Sequence, residues 1–197
     1  MQSLETAYKE LVDKNKNGSI VIQESEIKRQ VDELESKVKL IVEGSNFSID
    51  FIFDSYSLDE KLMIRELRPL LRDETGSLIP IGSFIAISEK LSLNQIFDEN
   101  VILKAVKFIE TKEIDYKIAI NLSIKTISNI QFIEFIENLV KEKPEIMKHL
   151  LFSITSYSAS AYKTEFEKFT KYMNKLNVEI LMKRFKTKEY PFEELSL

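Results

Sequence analysis

The sequence predicts an α/β fold, and three observations carry that expectation. From Lys117 onward, short apolar runs alternate with amphipathic helical stretches. The connections between them are short, and strand–helix–strand alternation with short links calls for a parallel sheet or an α/β barrel. Four glycines and four prolines in 197 residues also leave little room for long flexible linkers.

The elements follow in order. Leu4, Ala7, Tyr8 and Leu11 share one face of a short helix ending near Val12, a turn covers Asn15 to Gly18, and Ser19 to Gln23 reads as a strand. Ile27, Val31, Leu34, Val38 and Ile41 recur at spacings of three and four, so Glu24 to Val42 is predicted to be an amphipathic helix. Glu43-Gly44 is its stop signal. Phe47, Ile49, Phe51 and Phe53 then alternate, as in a strand with one buried face. A second strand is expected over Lys61 to Leu71, a turn over Asp73 to Gly76, and a helix from Leu93 to Glu110. The alternating remainder predicts strands at Lys117–Asn121, His149–Thr155 and Val178–Met182, with helices at Gln131–Lys141 and Ala161–Leu176 between them.

Composition narrows the function classes. A chain of this length, 44% hydrophobic and 30% charged, has the material for one globular core. A net charge of -4 gives no general electrostatic grip on nucleic acid. The absence of cysteine excludes disulfides and thiolate metal sites and agrees with a reducing cytoplasm. The single histidine, His149, excludes sites built on several imidazoles; it reads as a packed or exposed residue. No apolar run reaches the roughly 18 residues of a membrane span, and no signal-peptide pattern opens the chain. The expectation is a cytoplasmic domain.

Five segments, in order, carry a recognisable pattern. Glu66-Leu67-Arg68-Pro69-Leu70-Leu71-Arg72-Asp73-Glu74, followed by Gly76 and Ile79-Pro80, is similar to the signature that names the EAL domains of bacterial cyclic di-GMP signalling. Ser83 to Glu89 resembles its Phe-Ile-Pro-hydrophobic-Ala-Glu segment, and Ile120-Asn121-Leu122-Ser123 its Val-Asn-Leu-Ser strand end. Ser153-Ile154-Thr155-Ser156 falls where the family has Glu-Ile/Leu-Thr-Glu. Met182 to Thr187 falls where it has a hydrophobic residue, then Asp-Asp-Phe-Gly-Thr. The resemblance covers about 38–197, and implies a modified (β/α) barrel. Barrels of this type need about 250 residues, so the expectation is a partial barrel of about five strands, incomplete at the C-terminus. Residues 1–37 would be a separate segment resembling the end of a GGDEF domain or a linker.

Members of the family hydrolyse one phosphodiester bond of cyclic di-GMP with two Mg²⁺ or Mn²⁺ ions that activate a water. Two hard cations need a cluster of oxygen ligands, mostly carboxylates, at strand C-termini. Carried over by motif, Glu66 is the first carboxylate ligand and Asn121 an amide ligand, and both are kept. Arg72, in the signature segment, stands with them as a candidate ligand contact. The next two carboxylates are Ser153 and Ser156, and the bridging aspartate pair is Lys183 and Arg184. Serine is neutral and shorter than glutamate, and two cations in place of two anions repel divalent metal. The signature's phosphate-contacting arginine is Leu70, and the proline of Phe-Ile-Pro is Ala86. No metal cofactor and no catalytic residue are therefore expected.

Plainer readings stand beside these. Glu66 reads equally as a solvated strand-end carboxylate, and Asn121 as the N-cap of the helix that follows. Lys183 and Arg184 read as loop cations, as partners of Glu66, or as a phosphate site. The expected function is a catalytically inactive domain acting by protein contact, as a homodimer or against another signalling domain, because exposed sheet edges need covering. The alternatives are a non-hydrolysing cyclic di-GMP receptor and an active phosphodiesterase. No nucleic acid and no membrane are expected as partners.

Overall fold

The structure is a computed structural model, and residues 24–190 are described. The expected helix, turn and strand over residues 4–23 lie outside the described residues. Contacts divide the chain into two compact units, Met1–Ser36 and Lys37–Leu197.

Helix α1 (Glu24–Glu43) follows the apolar stripe read from the sequence. Val38, Ile41 and Val42 are buried in the second unit. The Gly44 and Asn46 N–H groups bond back to Leu40 O and Ile41 O at 3.1 and 2.9 Å. Ser45, not the glycine that marks the stop, holds the left-handed conformation that closes the helix (φ 49°).

Strands β1 (Ser48–Tyr56) and β2 (Leu62–Leu70) form an antiparallel hairpin, with Ser48 opposite Leu70 and Tyr56 opposite Leu62. Five residues connect them. A parallel crossover needs a dozen or more, so the direction of this pair follows from loop length. The predicted turn is present: the Asp73 carboxylate accepts from the Thr75 and Ser77 N–H groups at 3.0 Å, and Gly76 supplies φ 83°. The Lys37 ammonium donates to Asp73 at 3.2 Å and ties this turn to the end of α1.

Next come α2 (Ile81–Lys90) and α3 (Asn94–Thr111), then β3 (Lys117–Asn121), α4 (Ile124–Ile127), α5 (Ile130–Glu142) and α6 (Pro144–Met147). Strand β4 (Leu150–Thr155), α7 (Ser156–Ala161), α8 (Lys163–Lys175) and β5 (Glu179–Lys183) complete the order. The sheet runs β1-β2-β3-β4-β5, parallel from β2 onward. Helix α2 is an addition to the predicted elements: Ile81, Phe84, Ile85 and Ile87 are spread around it, and only Phe84 and Ser88 are buried. The helix expected over Ala161–Leu176 is present as α8, and α7 is a short added helix before it, set apart at Tyr162, whose backbone is not helical (φ -129°, ψ 52°).

The core lies between the sheet and its helices. Ile118 to Ile120 and Leu150 to Ile154 are buried on both faces, as central parallel strands require. Phe132 of α5 and Phe169 of α8 pack on Phe152, with ring centroids 6.3–6.5 Å apart. Phe84 and Phe47 both pack on Phe97, at 4.8 and 5.3 Å. No helix among the described residues is long and apolar enough to cross a membrane.

Candidate functional site

Parallel strands present their C-terminal ends on one side of a sheet, and ligand sites of α/β folds form there. Here those ends carry Asn121 on β3, Ser153 and Thr155 on β4, and Lys183 on β5. Strand register sets Asn121 beside Ser153 and Thr155 beside Lys183. Glu66 lies within β2, paired with Ala119 of β3.

Four of these side chains close into one network. The Lys183 ammonium donates to Glu66 Oε1 at 2.5 Å and to Asn121 Oδ1 at 3.0 Å. Asn121 Nδ2 donates to the same Glu66 oxygen at 2.9 Å, and Ser153 Oγ donates to Asn121 Oδ1 at 2.6 Å. The ion pair is sheltered, with side-chain exposures of 22% for Lys183 and 12% for Glu66. Its partners supply charge-assisted hydrogen bonds, which is what a desolvated pair needs to be tolerated.

Beside it is a second small assembly. Ser156 is fully buried, and its hydroxyl lies 2.8 Å from the Arg184 carbonyl and 2.5 Å from Glu189 Oε2. Its hydrogen bond to Glu189, helped by Lys186, holds that carboxyl below its ordinary value. Arg184 adopts φ 50°, a left-handed conformation that costs a non-glycine residue energy, and the Ser156 contact grips its carbonyl.

A cleft of about 570 Å³ opens over these residues, lined by Phe53, Glu66, Arg68, Asn121, Lys183 and Arg184 among others. A neighbouring cavity of about 270 Å³ shares Asn121 and Leu122 with it and is floored by Asp98. The Asp98 carboxylate accepts from the Ser123 N–H at 3.1 Å, and burial pushes its carboxyl up to about 7. Among the described residues, no group of three or more His, Cys, Asp or Glu side chains is placed to hold a metal ion.

The candidate residues therefore separate. Glu66, Asn121, Ser153 and Lys183 converge; Ser156 and Arg184 form the adjoining assembly; Arg72 stands apart. Its guanidinium donates to the Gly76 carbonyl at 2.7 Å, inside the turn after β2, and it does not line the cleft. Asn121 is not the N-cap: Ser123 caps α4, accepting from the Lys125 N–H, and Asn129 caps α5. The cap falls two residues later because Asn121 is still in the strand ladder. His149 is half-buried, with Nδ1 3.1 Å from the Tyr116 carbonyl. Arg68 lies inside the signature segment without a role assigned to it there, and Asp98 lies in no motif. Arg68 was legible from strand period, being two residues from Glu66 and on its face. Asp98 sits at helical spacing with Val101, Ile102 and Ala105, which are all buried.

Fold and site together define an α/β barrel-type domain with a cleft at its parallel strand ends. A sequence model of the EAL domain matches residues 51–197, and the chain belongs to that family. Its fold is similar to the FimX EAL domain from Pseudomonas aeruginosa bound to c-di-GMP, with a TM-score of 0.73 and 19% identity over 82% of this chain and 66% of that one. It is also similar to the Vibrio cholerae LapD S helix-GGDEF-EAL protein bound to c-di-GMP (TM-score 0.71, 18% identity, 91% of this chain and 41% of that one). A third likeness is to the Xanthomonas citri FimX EAL domain in complex with c-di-GMP (0.69, 12% identity, 80% and 62%). At such identities the likeness is one of fold. The chain spans 41–66% of the length of these three solved chains. No curated protein matches it.

Proposed function

We propose that this chain is a non-hydrolysing EAL domain that works in cyclic di-GMP signalling by contact with other protein. One observation carries this reading: Glu66, the carboxylate kept from the family's metal cluster, is held by Lys183 and Asn121. The donor set does not fit a pair of divalent cations. It offers one carboxylate, already neutralised, an amide and a serine hydroxyl, and two cations stand where the family has aspartates. Among the described residues that line the cleft, Glu66 is the one carboxylate, and it is already paired with Lys183. Exposed apolar side chains at the end of the β1–β2 hairpin support the contact role: Tyr56, Leu58 and Met63 all face solvent.

The test is incubation of the chain with cyclic di-GMP and excess Mg²⁺ or Mn²⁺, followed by chromatography of the nucleotides. The expected result is no linear dinucleotide. Product that disappears in a Glu66→Ala variant would make the domain a phosphodiesterase and overturn the proposal.

A second reading, a receptor that binds cyclic di-GMP without cleaving it, is favoured by the cleft itself. The cleft remains open beside the Glu66–Lys183 pair, and solved relatives in fold hold that dinucleotide. Calorimetric titration with cyclic di-GMP separates this reading from a pure contact role.

A further inference from the structure

We propose that this domain self-associates head to tail, the β1–β2 hairpin end of one copy seating in the groove between helices α5 and α8 of the next. The inference rests on the contact reading and names the partner as a second copy of this chain. The groove shares no lining residue with the cleft at the strand ends.

One surface is a knob. Leu58 is fully exposed at the turn between β1 and β2, with Tyr56 and Met63 exposed at the same end. Covering them would take apolar surface out of water. Next to Leu58 stand two exposed carboxylates, Asp59 and Glu60. The Ser57 hydroxyl donates to Asp59 at 2.6 Å and holds its carboxyl below the ordinary value, so it stays ionised. Glu60 has no ion-pair partner among the described residues, and the turn's lysine, Lys61, is paired with Asp115 at 3.4 Å. The knob is thus apolar with an acidic collar.

The other surface is a hole with a basic bank. A groove of about 450 Å³ is walled by Ile127, Ile130 and Ile133 on one side and by Phe169 and Tyr172 of α8 on the other. Ile130 is 67% exposed at its rim, and the Tyr172 hydroxyl donates to Glu137, tying α8 to α5. Along α8, Lys168, Lys171 and Lys175 follow at spacings of three and four, so they share a face. All three are exposed, and none forms an ion pair among the described residues. Glu165 lies a turn before them and Glu134 stands on α5, so the cationic stretch keeps to the α8 bank. That bank matches the Asp59–Glu60 collar. Two hairpin ends meeting each other would instead set the same carboxylates of both copies together, so the fit is between unlike surfaces. An apolar patch that fits a pocket elsewhere on the same molecule makes a heterologous contact, which adds copies head to tail. Apolar anchors in the pocket supply most of the affinity, and the charged rim sets orientation.

The experiment is size-exclusion chromatography with light scattering on the full chain and its variants, over a range of concentrations at low and high salt. The parent should gain mass with concentration, and less so in high salt. Leu58→Asp removes the knob and Ile130→Asp spoils the groove, so each alone should stay monomeric. Mixed together they should form a one-to-one pair that grows no further, because one copy keeps an intact groove and the other an intact knob. Lys171→Glu sets like charges against the collar and should weaken association about tenfold. Thermal melts check that the variants fold; if Ile130→Asp melts early, the exposed pair Lys168→Glu with Lys171→Glu serves as the groove variant. A parent that is monomeric at every concentration, a folded groove variant that associates like the parent, or a mixture that stays monomeric each overturn the proposal. Hydrolysis is a separate readout. Linear dinucleotide formed from cyclic di-GMP overturns the non-hydrolysing reading and leaves the head-to-tail contact standing, whereas a monomeric parent overturns that contact alone.

Discussion

Glu66 and Lys183 form the most consequential pair at the scale of single residues. Removing one member of a sheltered pair strands the other charge, whereas replacing both with neutral groups does not. Lys183→Ala should therefore cost about 2–4 kcal/mol in urea denaturation. The double variant Glu66→Gln with Lys183→Met should lie much closer to the parent, and two equal, additive losses would show that the pair is not coupled.

Asp98 is the second residue with a clear consequence. Its folded value of about 7 lies above its ordinary 3.8, so the folded state keeps a proton that the unfolded state gives up. Stability is greatest below the lower value and falls as pH rises between the two; above about 7 both states are ionised and the penalty is constant. Glu99 on the same helix adds to the effect, and Glu89 of α2 lines the same cavity. Asp98→Asn should flatten the fall in urea midpoint between about pH 4 and 7. An unchanged slope would assign that pH dependence to other groups.

At the scale of elements, the aromatic seam decides how helices α5 and α8 sit on the sheet. Phe132 is fully buried and meets Phe135, Phe152 and Phe169 within 6.2–6.4 Å. Phe132→Ala should cost about 3–5 kcal/mol, the range for a large ring removed from a packed core. The short cap helix behaves differently. Ser123→Ala removes the cap of α4 and should cost about 1 kcal/mol in the same denaturation experiment. Much of this level was legible beforehand. The strands at Lys117–Asn121 and Leu150–Thr155 stand out as apolar runs, and the stripes of α1, α3 and α5 recur at helical spacing. Helix α2 was not, because its apolar residues surround it and give no period to read. The hairpin direction followed from a five-residue loop, a signal available in the sequence but outweighed by the alternation further on.

For the molecule as a whole, the described sheet has β1 and β5 at its edges, and the hairpin end bears Tyr56, Leu58 and Met63 in solvent. If contact with protein is the domain's mode of action, this apolar end is where a substitution should act. Leu58 is fully exposed, so Leu58→Asp should change stability by no more than about 0.5 kcal/mol. In size-exclusion chromatography with light scattering, we expect the parent to show a concentration-dependent rise in mass that Leu58→Asp abolishes. A parent that stays monomeric at every concentration would remove self-association from the proposed function and leave only contact with other proteins.

The sequence by itself determined the main strands and helices, membership in a recognisable pattern, and the residue types that stand at Ser153, Ser156, Lys183 and Arg184. These are properties of residue type and spacing, so no coordinates are needed to read them. Only the tertiary structure decided what those residues do with one another. Lys183 meets Glu66 across 117 positions of chain, and Asn121 joins them instead of capping a helix. Such contacts are set by which strands pair and in what register. The burial that raises Asp98 is likewise created by packing, which spacing along the chain does not encode.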